Sequence, residues 1–271
     1  MEVNWAKEWA DRLAQTSHRS KLGKLGIADE DFWSGYRHLE HVQQYSDYPG
    51  KMLERVMESV DAQSTVLDVG AGGGAFAVPL AGVAGRVTAV EPSPGQIARL
   101  KESAEKAGIT NIRMVQKRWE DVDLREVGRH QVVLAANSLS MDDIRAALQK
   151  LCDAAERHLF VVHIVDHDLE PVLRDLIGGR ERPDYIYPYN VLYGMGYRPD
   201  VEIVGRRYEI PLDLQLDAVC YSRDLSLEKR EELRQYLEQQ GRTVRRDGMV
   251  WLRREHRDAL ISLRMGDGAD E

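Results

Sequence analysis

Three features predict an α/β, Rossmann-like fold with a seven-stranded, mostly parallel sheet and helices on both faces. From Ser64 onward, strand-like and helix-like stretches alternate, the order expected of a parallel sheet covered on both sides. The apolar run Val66-Leu67-Asp68-Val69 ends in the glycine-rich bend Gly70-Ala71-Gly72-Gly73-Gly74. A second apolar run, Arg86 to Val90, ends on Glu91. Strand, tight turn, helix, strand and acid in that order form the layout of a nucleotide-binding unit.

Each element follows from its local pattern. Apolar runs place strands at 64–69, 86–91, 112–116, 130–136 and 158–165, with helices near 73–83, 94–107 and 140–156 between them. Two later strands are expected near 201–210 and 243–252. Between them, Ser226 and Gly241 cap a helix over Ser226 to Gln240, a serine starting it and a glycine stopping it. A closing helix, His256 to Met265, leads into a polar tail at 266–271 that is expected to fray. Ahead of the sheet, residues 1–58 read as a helical extension. Trp5, Trp9 and Leu13 are spaced four apart on one face, and Asp29-Glu30-Asp31 opens a helix leading to Phe32 and Trp33. Asp47-Tyr48-Pro49-Gly50 is a turn signal, and Met52 to Val60 is amphipathic. The expected organisation is therefore an extension over 1–58, a main domain over 59–265, and the tail.

One segment exceeds the minimal pattern. Residues 166–200 insert between the fifth and sixth strands, and they hold five of the 11 tyrosines, among them Tyr193. Tyrosine supplies rigid apolar area and a hydroxyl, which suits enclosing a flat or cationic small molecule. The insert and the N-terminal aromatics are the natural lids, and Met195 between Gly194 and Gly196 marks a place for movement.

Composition narrows the class. Hydrophobic residues make up 43% and charged residues 30%, ordinary for a globular protein. No apolar run approaches the roughly 20 residues needed to span a membrane, and the N-terminus lacks a signal-peptide pattern, so a cytoplasmic protein without membrane partners is expected. Cys152 and Cys220 are far apart and form no C-x-x-C pair, which indicates neither a disulfide framework nor structural zinc. A net charge of −8 disfavours nucleic acid as a partner. The local exception, Arg242 to Arg257, interleaves arginines with Asp247 and Glu255 and reads as a solvated strand face.

The glycine loop specifies the kind of nucleotide. Glycines permit a tight turn and let a ligand approach the backbone, and a carboxylate at the tip of the second strand can hold both ribose hydroxyls. Asp68 stands two residues before Gly70, where dinucleotide sites are usually apolar, and Ala75 stands where their third glycine belongs. A negative charge beside the loop suits a cationic ligand and repels a pyrophosphate. The pattern D-x-G-x-G-x-G with Glu91 resembles the class I S-adenosylmethionine-dependent methyltransferases. The resemblance implies S-adenosylmethionine as cofactor and S-adenosylhomocysteine as product, bound by Asp68, Gly70, Ala71, Gly72, Gly74, Glu91 and Pro92. Trp119, Glu120 and Asn137 join them by following the third and fourth strands. Family members often carry an aspartate where this chain has Arg118, so the contact to adenine is left to Trp119 and backbone groups.

Ligands of such sheets sit beyond the carboxyl ends of the strands. After the fourth strand Asn137-Ser138 replaces the Asn/Asp-Pro-Pro-Tyr motif of nucleobase and glutamine methylation, which disfavours those acceptors. After the fifth, His163 and His167 point the same way about 13 Å apart, too far to share one ion, and no metal is expected. The catalytic candidates are Asn137, His167 as base or substrate contact, and Tyr193. The expected function is direct methyl transfer to a small-molecule substrate, with a cofactor-sensing protein and an NAD-dependent oxidoreductase as rivals.

Overall fold

The computed structural model describes residues 3–16, 29–178 and 182–266; the Lys21–Gly26 stretch, Gly179-Arg180 and all of the tail beyond Gly266 lie outside them. Among the described residues eight strands form one sheet. They are β1 (Thr65–Val69), β2 (Arg86–Val90), β3 (Ile112–Val115), β4 (His130–Ala136), β5 (Ala155–His167), β6 (Asp200–Pro211), β7 (Thr243–Arg246) and β8 (Met249–Arg264). Their order is β3-β2-β1-β4-β5-β8-β6, with β7 pairing β8. Pairs from β3 to β5 are parallel, whereas β8 runs antiparallel to both β5 and β6. No described helix is long and apolar enough to cross a membrane.

Alternation along the strands builds two cores. Leu67, Val69, Val133 and Val161 face one side, together with α8 (Ile144–Ala154). Val66, Val132, Leu134 and Val162 face the other. The N-terminal helices belong to these cores. Trp9 and Leu13 of α1 (Trp5–Thr16) join the first, while Met52 and Val56 of α4 (Gly50–Met57) join the second. Trp9 is fully buried, and its indole donates to Met141 O at 2.9 Å.

Three expectations need correction. The closing helix over His256 to Met265 is instead the end of β8. A strand buried on both faces shows a continuous apolar run, here Ala259-Leu260-Ile261, and loses its period-two signature. The sheet has eight strands, not seven, because Asp247 (φ +52°) and Gly248 (φ +74°) turn the chain within 243–252. Such paired positive φ values make a two-residue hairpin, which separates β7 from β8. Helix α8 begins at Ile144 rather than 140 because the Asp143 side chain caps it, accepting from Ala146 N at 2.9 Å.

β6 and β8 are 12 and 16 residues long and outrun the sheet. Beyond it they carry a second lobe with its own core. Leu173 of α9 (Glu170–Ile177), Leu216 of α11 (Leu212–Arg223) and Leu233 of α12 (Leu227–Gln239) pack there with Ile210 and Leu252.

Candidate cofactor and acceptor site

The loop after β1 is fastened to β2. Gly70 N and Ala71 N both donate to Val90 O, at 2.8 and 3.1 Å. Gly70, Gly72 and Gly74 have φ of +73°, +53° and +94°, a region that side chains disfavour. The three differ in what surrounds them. A Cβ on Gly70 would lie 2.2 Å from Ser138 Cβ, and one on Gly74 would lie 2.5 Å from Leu100 Cδ1. A Cβ on Gly72 would meet nothing closer than Gln96 Oε1 at 3.9 Å. Gly70 and Gly74 thus serve internal packing, and Gly72 faces open space.

Glu91 closes that space. Its carboxylate accepts from Gly72 N at 3.0 Å and from Ser93 N at 2.8 Å, joining the glycine loop to the end of β2. Asp68 is buried behind the loop, where burial first and the charge of Glu91 second push its pKa up to about 7, against a hydrogen bond from the Ala77 backbone. Pro92 follows Glu91, and Ser93 caps α6 (Pro94–Lys106).

Helix α2 (Asp29–Gly35) straps this end of the sheet. Gln96 Nε2 donates to Trp33 O at 3.0 Å and Arg99 Nη2 to Ser34 O at 2.5 Å. Arg118, standing where the resemblance implies an aspartate, pairs with Glu30 at 2.6 Å. On its other side α2 meets the second lobe: the Phe32 ring stacks on Tyr36 and Tyr221, and Tyr221 Oη donates to Phe32 O at 3.0 Å. The Trp119 indole, by contrast, is spent in the core. It donates to Ala147 O at 3.2 Å and lies under the Lys150 ammonium at 5.1 Å, leaving Glu120 exposed beside it.

At the carboxyl end of β4, Asn137 adopts φ +51° and its backbone N–H donates to Val162 O at 2.8 Å. Its side chain is hydrogen-bonded to the hydroxyl of Tyr48, a buried group whose pKa burial and Asp258 push upward. The Arg206 guanidinium covers the Tyr48 ring at 4.7 Å and bonds Asp258 at 2.7 Å. His256 Nε2 lies 3.1 Å from the other Asp258 oxygen and stacks on His167, which is 3.2 Å from Glu170. Glu170 also receives Arg223 at 2.9 Å. One continuous wall therefore runs from Asn137 to the second lobe.

His167 is part of that wall, but His163 is not, contrary to the expectation that they share a face. The β5–β8 register shifts between Ile164 and Asp166, so His163 turns to the opposite core. It lies 3.1 Å from Pro183 O and 5.4 Å from the Trp9 ring, its pKa lowered to about 4 by burial. Tyr193 is also elsewhere. Helix α10 (Ile186–Gly194) packs along α1 and α8 and carries Tyr193 to the amino ends of the strands, under the Arg198 guanidinium at 4.5 Å. Arg198 there borders a cavity of about 740 Å³ with His158 and Arg264, remote from Glu91 and Asn137. Arg254, expected on a solvated face, is buried at 6% exposure. Tyr48, Arg206, His256 and Asp258 were not anticipated. Their signal is the alternation in β8 of Leu252, Arg254, His256, Asp258 and Leu260, a polar stretch between two apolar ends of one face.

Residues 66–158 match the family model described as a methyltransferase domain. An uncharacterized protein of Haemophilus influenzae is 30% identical over 161 residues, 58% of this chain and 60% of its own. A 23S rRNA (uracil(1939)-C(5))-methyltransferase of Francisella tularensis is 27% identical over 126 residues, 45% of this chain and 27% of its own. The chain thus spans less than two thirds of the length of these curated relatives. Among solved structures, a Bacillus halodurans protein described as a methyltransferase is similar with a TM-score of 0.55 at 17% identity, covering 80% of this chain and 99% of that one. A functionally unknown protein of Deinococcus radiodurans is similar with a TM-score of 0.53 at 12% identity, covering 80% and 86%. These two share the fold.

Proposed function

We propose, from the methyltransferase-domain match over residues 66–158, that the chain is a class I, S-adenosylmethionine-dependent methyltransferase that transfers a methyl group to a small molecule held beyond β4 and β5. The observation that carries this reading is the Glu91 carboxylate bridging Gly72 N and Ser93 N beside an open loop face. The Glu91 carboxylate suits a ribose diol, Asp68 suits an ammonium group, and the open side of Gly72 admits a ligand against the backbone. When bound, S-adenosylmethionine supplies a methyl group on a cationic sulfur, a leaving group already activated. The protein then has to align the acceptor and keep water away.

Those tasks fall to the wall beyond β4. Asn137 and Tyr48, hydrogen-bonded to each other, present an amide and a phenol at the strand tip. His167 is kept neutral by burial, with Glu170 opposing, and a neutral imidazole at that place can take a proton from an acceptor that must lose one. Helix α2, tied to both α6 and α11, covers the opening.

Isothermal titration with S-adenosylhomocysteine and with NADH tests the reading. Binding of the former and not the latter is the expected result. Binding of NADH alone, or unaltered S-adenosylhomocysteine affinity in both Asp68→Ala and Glu91→Ala, overturns it. Release of S-adenosylhomocysteine during incubation with pooled metabolites separates an enzyme from a cofactor sensor.

A further inference from the structure

One face of the β6–β8 ribbon joins two hydrophobic cores through a polar band. Val204 and Leu260 belong to the core under the sheet, and Ile210 and Leu252 to the second lobe. Between them the register sets Asp258 opposite Val204, His256 opposite Arg206, and Arg254 opposite Tyr208. Arg206, Arg254 and Asp258 are 7%, 6% and 0% exposed. Withdrawing each such ion from water costs several kcal/mol, and apolar residues of similar size would often serve stability better. Folding therefore supplies no reason for the band.

Nor is the band internally balanced. Five arginines, Arg182, Arg206, Arg223, Arg242 and Arg254, face three carboxylates, Asp168, Glu170 and Asp258. Arg206 Nε is buried without an acceptor among the described residues, as are the Nδ1 atoms of His38, His41 and His167. Burial, with Arg254 and the neighbouring histidines, depresses the His38 pKa to about 3, so this ring adds a neutral donor or acceptor and no charge. Arg182 lies at the exposed edge of the band. It reaches water, yet it stands beside Arg223, Glu170 and Tyr36, where burial and Arg223 lower its pKa. The surplus is cationic, and buried guanidinium groups with spare N–H donors recognise planar or tetrahedral oxyanions.

Resting on the methyltransferase reading above, we infer that the polar band is the acceptor subsite and that the acceptor is a small organic acid. Its carboxylate or phosphate is held at Arg182 and Arg254, and its nucleophilic end lies at Tyr48 and Asn137. An RNA acceptor fits less well. A nucleic-acid backbone is bound by rows of exposed cations, whereas exposed Arg207, Arg253 and Arg257 of this ribbon, and Arg246 beside it, are paired with Glu255, Glu209 and Asp166.

The test uses the full chain saturated with S-adenosylhomocysteine, titrated with benzoate against benzamide and with phenyl phosphate against phenol. At least one acid is expected to bind about tenfold tighter than its neutral partner, and which one does so tells carboxylate from phosphate. Arg182→Gln, at a water-exposed position without an ion pair among the described residues, removes that preference while leaving S-adenosylhomocysteine affinity unchanged. Absence of binding by either acid, equal binding of acid and neutral partner, or a preference that survives in Arg182→Gln overturns the inference. So does tighter binding of a single-stranded RNA oligomer than of either acid. Failure of the wild type to bind S-adenosylhomocysteine strikes the methyltransferase reading instead, and the two failures are read in separate titrations.

Discussion

The carboxylates of Asp68 and Glu91 are buried together at the carboxyl ends of β1 and β2, and the charge of Glu91 adds to burial in holding the Asp68 pKa up to about 7. An acid raised in the folded state costs stability wherever the unfolded chain ionises and the folded one resists. The cost is absent below the unfolded value of about 4, grows through the interval to about 7, and is complete above it. Asp68→Asn is therefore expected to raise the melting temperature at pH 8 relative to wild type and to leave it little changed at pH 4. Thermal scans at the two pH values check this; an equal shift at both would contradict it.

In the proposed function the same carboxyl makes cofactor binding depend on pH. An ammonium group is held by the ionised form, so below pH 7 the proton on Asp68 must first leave. S-adenosylhomocysteine affinity should rise by up to about tenfold between pH 6 and pH 8, with proton release on binding near pH 6. In Asp68→Asn that slope should vanish. Titration in buffers of different ionisation enthalpy measures both.

Glu91→Ala removes the acceptor of two backbone N–H groups and, in the proposed function, the ribose partner at once. Cofactor affinity should fall by about tenfold or more, equivalent to about 1.4 kcal/mol. The glycine loop should also lose part of its protection from amide exchange at Gly72, which a hydrogen-exchange experiment reads without any ligand.

Gly72→Ala and Gly74→Ala should fail differently. At Gly74 the new methyl meets Leu100 and Val78, so the protein itself should lose about 1–3 kcal/mol. At Gly72 the surroundings are open and only the left-handed backbone is penalised, by about 1 kcal/mol. Cofactor affinity should nonetheless suffer there, because the methyl enters the free face of the loop. Denaturant unfolding alongside titration separates the two effects.

Trp9→Ala should destabilise the whole chain by about 3–5 kcal/mol, since the ring is fully buried and its N–H is bonded to Met141 O. A helical extension packed merely as a lid would instead be lost at almost no cost to the main unfolding transition.

The proposed nucleotide-binding pattern is legible in the sequence because it is local. Asp68, Gly70, Gly72, Gly74 and Glu91 fall within 24 residues, and their spacing carries the chemistry. In the wall beyond β4, Asn137 and His167 follow from their places at strand ends, whereas Tyr48, Arg206 and Asp258 come from distant segments that only the fold brings to them. Helix and strand were confused at His256 to Met265 for a related reason: burial on both faces erases the alternation that identifies a strand. Tyr193 lies away from Glu91 and Asn137, under Arg198, because abundance of tyrosine says nothing about which end of the sheet a helix reaches. His163 and His167 separated because a single register shift reverses facing, which no spacing rule foresees.

Alternate side chains on a strand stand about 6.6–6.8 Å apart, so Asp258 and Arg254 are set about 13 Å from each other along β8. Ladder hydrogen bonds to β6 keep that interval from stretching. The ribbon is consequently a ruler as well as a wall: a molecule too short to reach from Arg254 to the tip of β4 cannot touch both ends at once.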